Sequence, residues 1–138
     1  MIRPFIPDDL FNIEYSYPED QKGLAEKWKD GYSRIITLEI DGDIVTIMGI
    51  TGIRPGVYEA FITKTAHIFK HAKEFHDTMV KVVESALKLE GLHRLQMYVD
   101  STIPRDIRWA ERLGFEREGL LKKFDIDKDY YVYGRISC

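Results

Sequence analysis

Cysteine is almost missing from this sequence: the one thiol is Cys138. No disulfide framework and no cysteine-based zinc site can therefore form within the chain, a composition that fits a reducing cytosol. Apolar runs long enough to cross a bilayer, about 20 residues, are lacking too. Met1-Ile2-Arg3-Pro4 reads as the start of folded sequence and not as a signal peptide, so the expectation is a soluble, unprocessed cytoplasmic protein with no membrane partner. Charge of one sign is also lacking, with 20 Lys plus Arg against 23 Asp plus Glu and a net charge of −3. That balance argues against a nucleic-acid partner and confines any anion site to a local patch. Repeats and Ser/Gly/Pro-rich linkers are absent, and no glycine occurs between Gly56 and Gly91.

What is present suits a single core. The 138 residues are 44% hydrophobic and 12% aromatic, enough apolar material to offset the entropy of ordering one domain and too few residues for two, so 1–138 reads as one module. Ile2 to Phe5 reads as a short edge strand, since Pro4 cannot donate to a ladder. Pro7-Asp8-Asp9 then supplies acidic first-turn chemistry for a short helix, Leu10 to Glu14, and a second helix follows from Glu19 to about Asp30, ended by Gly31. Ser33 to Ile40 and Asp43 to Ile50 are β-branched runs separated by Asp41-Gly42, a dipeptide that accepts positive φ and predicts a two-residue hairpin. Val57 to Thr63 alternates as a further strand.

From about Ala72 to Leu89 the apolar residues Phe75, Met79, Val82, Val83 and Ala86 recur at helical spacing, with Asp77/Lys81 and Glu84/Lys88 as i,i+4 pairs and Gly91 as the stop. Leu95, Met97 and Val99 alternate as a strand. Pro104 opens a helix that Gly114 closes, and two last strands, near Phe115 to Phe124 and Tyr130 to Ile136, flank a turn over Asp125 to Asp129.

This order of elements is an α/β sandwich. It resembles the GNAT acyltransferase fold: a mostly antiparallel sheet of six to seven strands flanked by about four helices. The resemblance is sharpest over Arg108 to Gly119, where a short helix ends at Gly114-Phe115 and a strand carrying Glu118-Gly119 follows. Met1 to Leu10, the Asp41-Gly42 hairpin and Tyr133-Gly134-Arg135 are also similar to a small group of GNAT-like proteins encoded by phages and prophages.

The resemblance implies an acetyl-CoA-dependent transfer to a small-molecule or protein amine. The alternative reading is a non-catalytic GNAT-like virion or assembly protein, with a phage protein or a second copy of the chain as partner. In the family the CoA pyrophosphate sits on the N-terminus of the long central helix, which implies Phe61, Ile62, Lys64, Lys70, His71 and Lys73 as cofactor-binding residues. Lys64, Lys70 and Lys73 form a positive lip whose only acid is Glu74, but the glycines that family members use there are missing. Glu59 falls where many members carry a glutamate base, although alternation alone does not say which face it occupies. The family's usual acid, a tyrosine four residues before the Gly-Phe pair, falls on Ala110, which leaves Tyr98 as the substitute, with Tyr130, Tyr131 and Tyr133 as further options. Tyr15 and Tyr17, in the acidic and aromatic segment between the first two helices, are the substrate-binding candidates for a cationic amine. His67 and His71 are four apart, but no third ligand is placed by sequence, so they read as exposed helix histidines and no metal is expected.

Overall fold

The hairpin at Asp41-Gly42 forms as its composition requires. Asp41 has φ 52° and Gly42 φ 83°, and Ile40 pairs directly with Asp43, so both turn residues lie in the left-handed region that lets a two-residue loop follow the strand twist. The computed structural model describes residues 1–6, 9 and 33–137. The two helices read over Leu10 to Glu14 and Glu19 to Asp30, together with Tyr15 and Tyr17, lie outside the described residues.

Seven strands are formed: β1 (Ile2–Pro4), β2 (Ser33–Ile40), β3 (Asp43–Arg54), β4 (Val57–Lys64), β5 (Arg94–Asp100), β6 (Glu116–Asp125) and β7 (Lys128–Ile136). Three helices occur among the described residues: α1 (His67–Lys70), α2 (Ala72–Leu87) and α3 (Pro104–Arg112). The sheet order is β1-β2-β3-β4-β5-β7-β6. The β4–β5 pair is parallel, whereas β1–β2, β2–β3, β5–β7 and β6–β7 are antiparallel. No helix among the described residues is long and apolar enough to cross a membrane.

The chain divides into two compact units, one of Met1–Gly52 with Ala60–Met79 and the other of Ile53–Glu59 with Val80–Cys138. In the first, Val45 to Ile50 of β3 are buried without interruption, the signature of a strand covered on both faces. Thr46 and Thr65 are tolerated there because their hydroxyls donate to the carbonyls of Thr63 and Val45, each at 2.8 Å, which removes the penalty of an unpaired buried polar group. Gly49 is required by close approach: a Cβ there would strike the Arg34 carbonyl and lie 2.9 Å from Phe61 Cζ. At the chain start the buried Asp9 carboxylate accepts from Arg3 at 2.8 and 2.9 Å, from the Ile6 amide at 3.0 Å and from Thr37 Oγ1 at 2.7 Å. Burial raises its pKa, but these four donors outweigh burial and hold it below the ordinary carboxylate value.

In the second unit Leu95, Val99, Ala110, Leu113, Phe115 and Tyr133 form the buried core with Val83, Ala86 and Leu92. Pro104 opens α3 and Gly114, at φ 86°, follows its end, as the sequence predicts. Two local expectations are corrected. Glu84, read as the i,i+4 partner of Lys88, instead takes Arg135 Nη2 at 2.8 Å, while Arg135 Nη1 donates to the Leu113 carbonyl at 2.8 Å, so a cross-element guanidinium satisfies the end of α3. The final turn is shorter than Asp125 to Asp129, because Asp125 pairs with Lys128 and leaves only Ile126 and Asp127 between the strands. The slack is taken up inside β6, where Lys123 has φ 51° and its amide donates to Asp129 Oδ1 at 2.8 Å.

Two stability predictions follow from the first unit. Gly49→Ala is expected to cost about 1–3 kcal/mol or more by overpacking, and Gly42→Ala, in open space, only about 1 kcal/mol of backbone strain; urea unfolding of both variants measures the order. For Asp9 the folded pKa is depressed, so its stabilisation is complete above the unfolded carboxylate pKa and is lost as pH falls through the folded value. Asp9→Asn should therefore lower stability at neutral pH by about 3 kcal/mol, the low end for a broken buried pair because Arg3 is partly exposed, and should flatten the acid limb of a stability–pH curve.

Candidate active site

β4 and β5 pair for only three residues, Val57 with Arg94, Tyr58 with Leu95 and Glu59 with Gln96. β5 then continues against β7, where Tyr98 sits opposite Val132. Side chains two apart on a strand share a face, so Glu59 and Tyr98 lie within reach of one another. The Tyr98 hydroxyl donates a short hydrogen bond to Glu59 Oε1, and Gln96 Nε2 donates to the same hydroxyl oxygen at 3.2 Å. The Tyr98 ring is tilted against Phe124 at 4.6 Å between centroids, and Phe124 contacts Tyr130 at 5.3 Å. Burial, and then the bond to Glu59, push the Tyr98 phenol above its ordinary pKa, with Gln96 and Arg94 pulling the other way. The phenol is thus neutral across the physiological range and holds its proton on a carboxylate, an arrangement suited to handing over one proton and receiving another.

Reading the sequence identifies Glu59 and Tyr98 separately; the strand register brings them together. It misses Arg94, Gln96 and Glu118. Arg94 Nε donates to Gln96 Oε1 at 2.8 Å, and the Arg94 guanidinium forms a two-pronged ion pair with Glu118. The available signal was the alternation Arg94, Gln96, Tyr98, which places three polar side chains on one strand face opposite the apolar Leu95 and Val99. The other tyrosines are committed elsewhere: Tyr131 lies under the Arg117 guanidinium at 3.8 Å, and the fully buried Tyr133 donates to Glu111 at 2.8 Å. Ala110, at the position of the usual family acid, is 1% exposed and fills core.

In the other unit, the segment between β4 and α2 differs from the expected glycine-lined turn. Thr65 replaces the glycines as the organiser: its Oγ1 accepts from the His67 amide at 3.2 Å and its carbonyl from the Ile68 amide at 3.2 Å. His71 then breaks the helical run with φ −120° and ψ 35°, which separates α1 from α2. The break makes Ala72, Lys73 and Glu74 a true helix start, whose amides have no acceptor within their own helix, and all three residues are exposed. That end can receive an anion, whereas in the 67–71 turn the amides of His67, Ile68 and His71 are already bonded.

The expectation of two exposed histidines is corrected for His71, which is 6% exposed. Its Nε2 stops 3.5 Å from Asp43 Oδ2, the same oxygen that Lys70 Nζ approaches at 3.3 Å and His67 Nδ1 at 3.6 Å. The Lys70 ammonium, against the opposing effect of burial, holds the Asp43 carboxyl below its ordinary pKa. Lys70 and the His71 ring are thereby turned towards Asp43, whereas Lys73 is exposed at the helix start. Phe61 and Ile62 are half-buried on β4, and the Phe61 ring covers Gly49. Among the described residues no group of three or more His, Cys, Asp and Glu is arranged to hold a metal ion.

If Tyr98 and Glu59 act on each other directly, their substitutions will not be additive. A double-mutant cycle of Tyr98→Phe and Glu59→Gln, read by urea unfolding, is expected to give a coupling of about 1 kcal/mol.

No family model matches the chain, and no curated protein matches it in sequence. Solved structures do match in shape. A chimera of spermidine N-acetyltransferase SpeG from Vibrio cholerae and hSSAT superposes with TM-score 0.80 at 17% identity, over 99% of this chain and 96% of that one. A point mutant of SpeG from Vibrio cholerae gives TM-score 0.78 at 17% identity, over 99% and 93%. The protein smu.2055 from Streptococcus mutans UA159 gives 0.81 at 15% identity, over 100% and 99%. At such identities the likeness speaks for fold, and the mixed seven-stranded sheet with its helices is the GNAT-like α/β fold of these structures.

Proposed function

We propose that the chain is an acyl-CoA-dependent N-acyltransferase, a single GNAT-like domain that moves an acetyl group to an amine in the cytoplasm. The observation that carries the reading is the Tyr98–Glu59 hydrogen bond. Acyl transfer forms a nitrogen–carbon bond and breaks a carbon–sulfur bond; the amine sheds one proton and the leaving sulfur needs one. In this reading Glu59 takes the amine proton and Tyr98 supplies the sulfur. The proton on Glu59 then returns to Tyr98 across the hydrogen bond that already joins them, so both groups end as they began.

Acetyl-CoA is a substrate in this scheme. Its diphosphate would meet the Ala72–Glu74 amides and the Lys73 and Lys64 side chains, with the break at His71 exposing the amides, Lys70 flanking the turn, and Phe61 and Ile62 supplying strand and apolar contact. The spermidine named for the SpeG structures suggests a polyamine as acceptor class. A carboxylate bonded to Tyr98, whose ring packs on Phe124, suits such a cation, and Tyr15 and Tyr17 remain the substrate-binding candidates from the acidic segment.

One observation favours a second reading. Three amides of the 67–71 turn, those of His67, Ile68 and His71, are already bonded, as a GNAT-like virion or assembly protein without cofactor, paired with a phage protein or a copy of itself, would permit.

Thermal unfolding with acetyl-CoA decides between them. Binding predicts stabilisation of about 2.7 kcal/mol at 100-fold excess over Kd, and an unchanged Tm at millimolar acetyl-CoA rejects the enzyme. For the enzyme, Tyr98→Phe and Glu59→Gln should each lower kcat by about 10²–10⁴-fold with little change in acetyl-CoA affinity, the range for a lost general acid or base.

A further inference from the structure

We propose that Gln96, held by Arg94, is a positioning residue that turns the resting Tyr98 hydroxyl towards Glu59 and supports the phenolic oxygen when its proton leaves; this inference rests on the acid–base reading of that pair. A glutamine amide can be turned either way, and its neighbours decide which. Here the decision is forced. Arg94 carries donors only, so the Gln96 atom 2.8 Å from Arg94 Nε is the carbonyl oxygen. The amide nitrogen is then the end that faces Tyr98, at 3.2 Å. Because that nitrogen has only hydrogens to offer, the phenolic oxygen must accept from it. The single hydroxyl hydrogen is left to point at Glu59 Oε1, which accepts it.

Arg94 is itself fixed. Its guanidinium reaches Glu118 on β6 by crossing β7 at Gly134, where a Cβ would lie 2.8 Å from Arg94 Nη1 and 2.7 Å from Glu118 Oε1. The bare backbone at Gly134 is what lets the pair close. From Arg94 outward to Glu59, every hydrogen bond points the same way: guanidinium to amide oxygen, amide nitrogen to phenol, phenol to carboxylate. Glu59 on β4 and Arg94 on β5 are the charged groups that act on Tyr98, Glu118 on β6 acts through Arg94, and the ring of Phe124 covers the remaining side. Without the amide nitrogen the phenolic oxygen loses the donor that orients it and that would stabilise it as its proton leaves for the sulfur, so Tyr98 becomes a weaker acid.

Two substitutions separate positioning from packing. Gln96→Leu removes the donor. Gln96→Glu keeps size and shape, and keeps an acceptor for Arg94, but replaces the donor facing Tyr98 by an acceptor that draws the hydroxyl proton away from Glu59. The inference predicts that Gln96→Leu lowers kcat about tenfold and Gln96→Glu about 100-fold, within the span set by loss of a general acid, each with unchanged KM for acetyl-CoA. A merely structural role predicts the reverse order, with the isosteric carboxylate tolerated and leucine worse.

The second readout needs no turnover. In protein labelled with ¹³Cζ-tyrosine, the Tyr98 resonance, assigned through Tyr98→Phe, should titrate at higher pH in Gln96→Leu than in the unaltered chain, and higher still in Gln96→Glu. If Gln96→Glu keeps both the wild-type kcat and the wild-type Tyr98 titration while Tyr98→Phe impairs turnover, Gln96 has no positioning role and the acid–base reading stands. If Tyr98→Phe leaves kcat unchanged, the acid–base reading falls, and the inference falls with it even where the Tyr98 titration follows the predicted order.

Discussion

The rest of the site depends on a three-residue parallel ladder. The pairs β1–β2, β2–β3, β5–β7 and β6–β7 are antiparallel, whereas β4–β5 is parallel. The parallel register sets Glu59 opposite Gln96, so that Tyr98, two residues further along β5, extends its ring back to the carboxylate. Parallel neighbours cannot be joined by a tight turn and need a crossover. The long stretch from Thr65 to His93, with α2 inside it, is that crossover, which explains why the longest of the described helices lies between the strands that carry Glu59 and Tyr98.

Glycine is placed where close approach requires it. Gly49 allows a ring to lie on a strand, and Gly134 allows an ion pair to cross one. The turn before α2 has none, and a threonine and a histidine take over. Thr65 closes the first part of the turn with its hydroxyl and carbonyl, and His71 interrupts the helix, its buried ring directed at Asp43. A helix start with unpaired amides results without any residue lacking a side chain, at Ala72 and not at His67.

Much of the fold was legible beforehand because its signals are local. The Asp41-Gly42 hairpin, the helix opened by Pro104 and followed by Gly114, and the helix beginning at Ala72 each rest on backbone preferences of a few adjacent residues or on a 3.6-residue apolar period. The errors arose where a local signal competed with a distant partner. Glu84 had a lysine four residues away, yet a guanidinium 51 residues away also satisfies a helix end and so makes the better bond. His71 had a helical neighbour in His67, but burial and Asp43 took it out of the helix. The last hairpin is tighter than its Asp/Lys composition suggested because β6 absorbs two extra residues between Leu121 and Asp125.

Element order, the tight turns and the periodic faces were determined by the sequence alone, since each is an energy balance within a turn or two of backbone. Tertiary structure decided that Glu59 and Tyr98, 39 residues apart, are joined by a hydrogen bond, and that Gln96, Arg94 and Glu118 stand behind them. Nothing local distinguishes a strand glutamate facing solvent from one facing a phenol: a register shift of a single residue turns the side chain to the other face of the sheet. Pairing between distant strands sets that register.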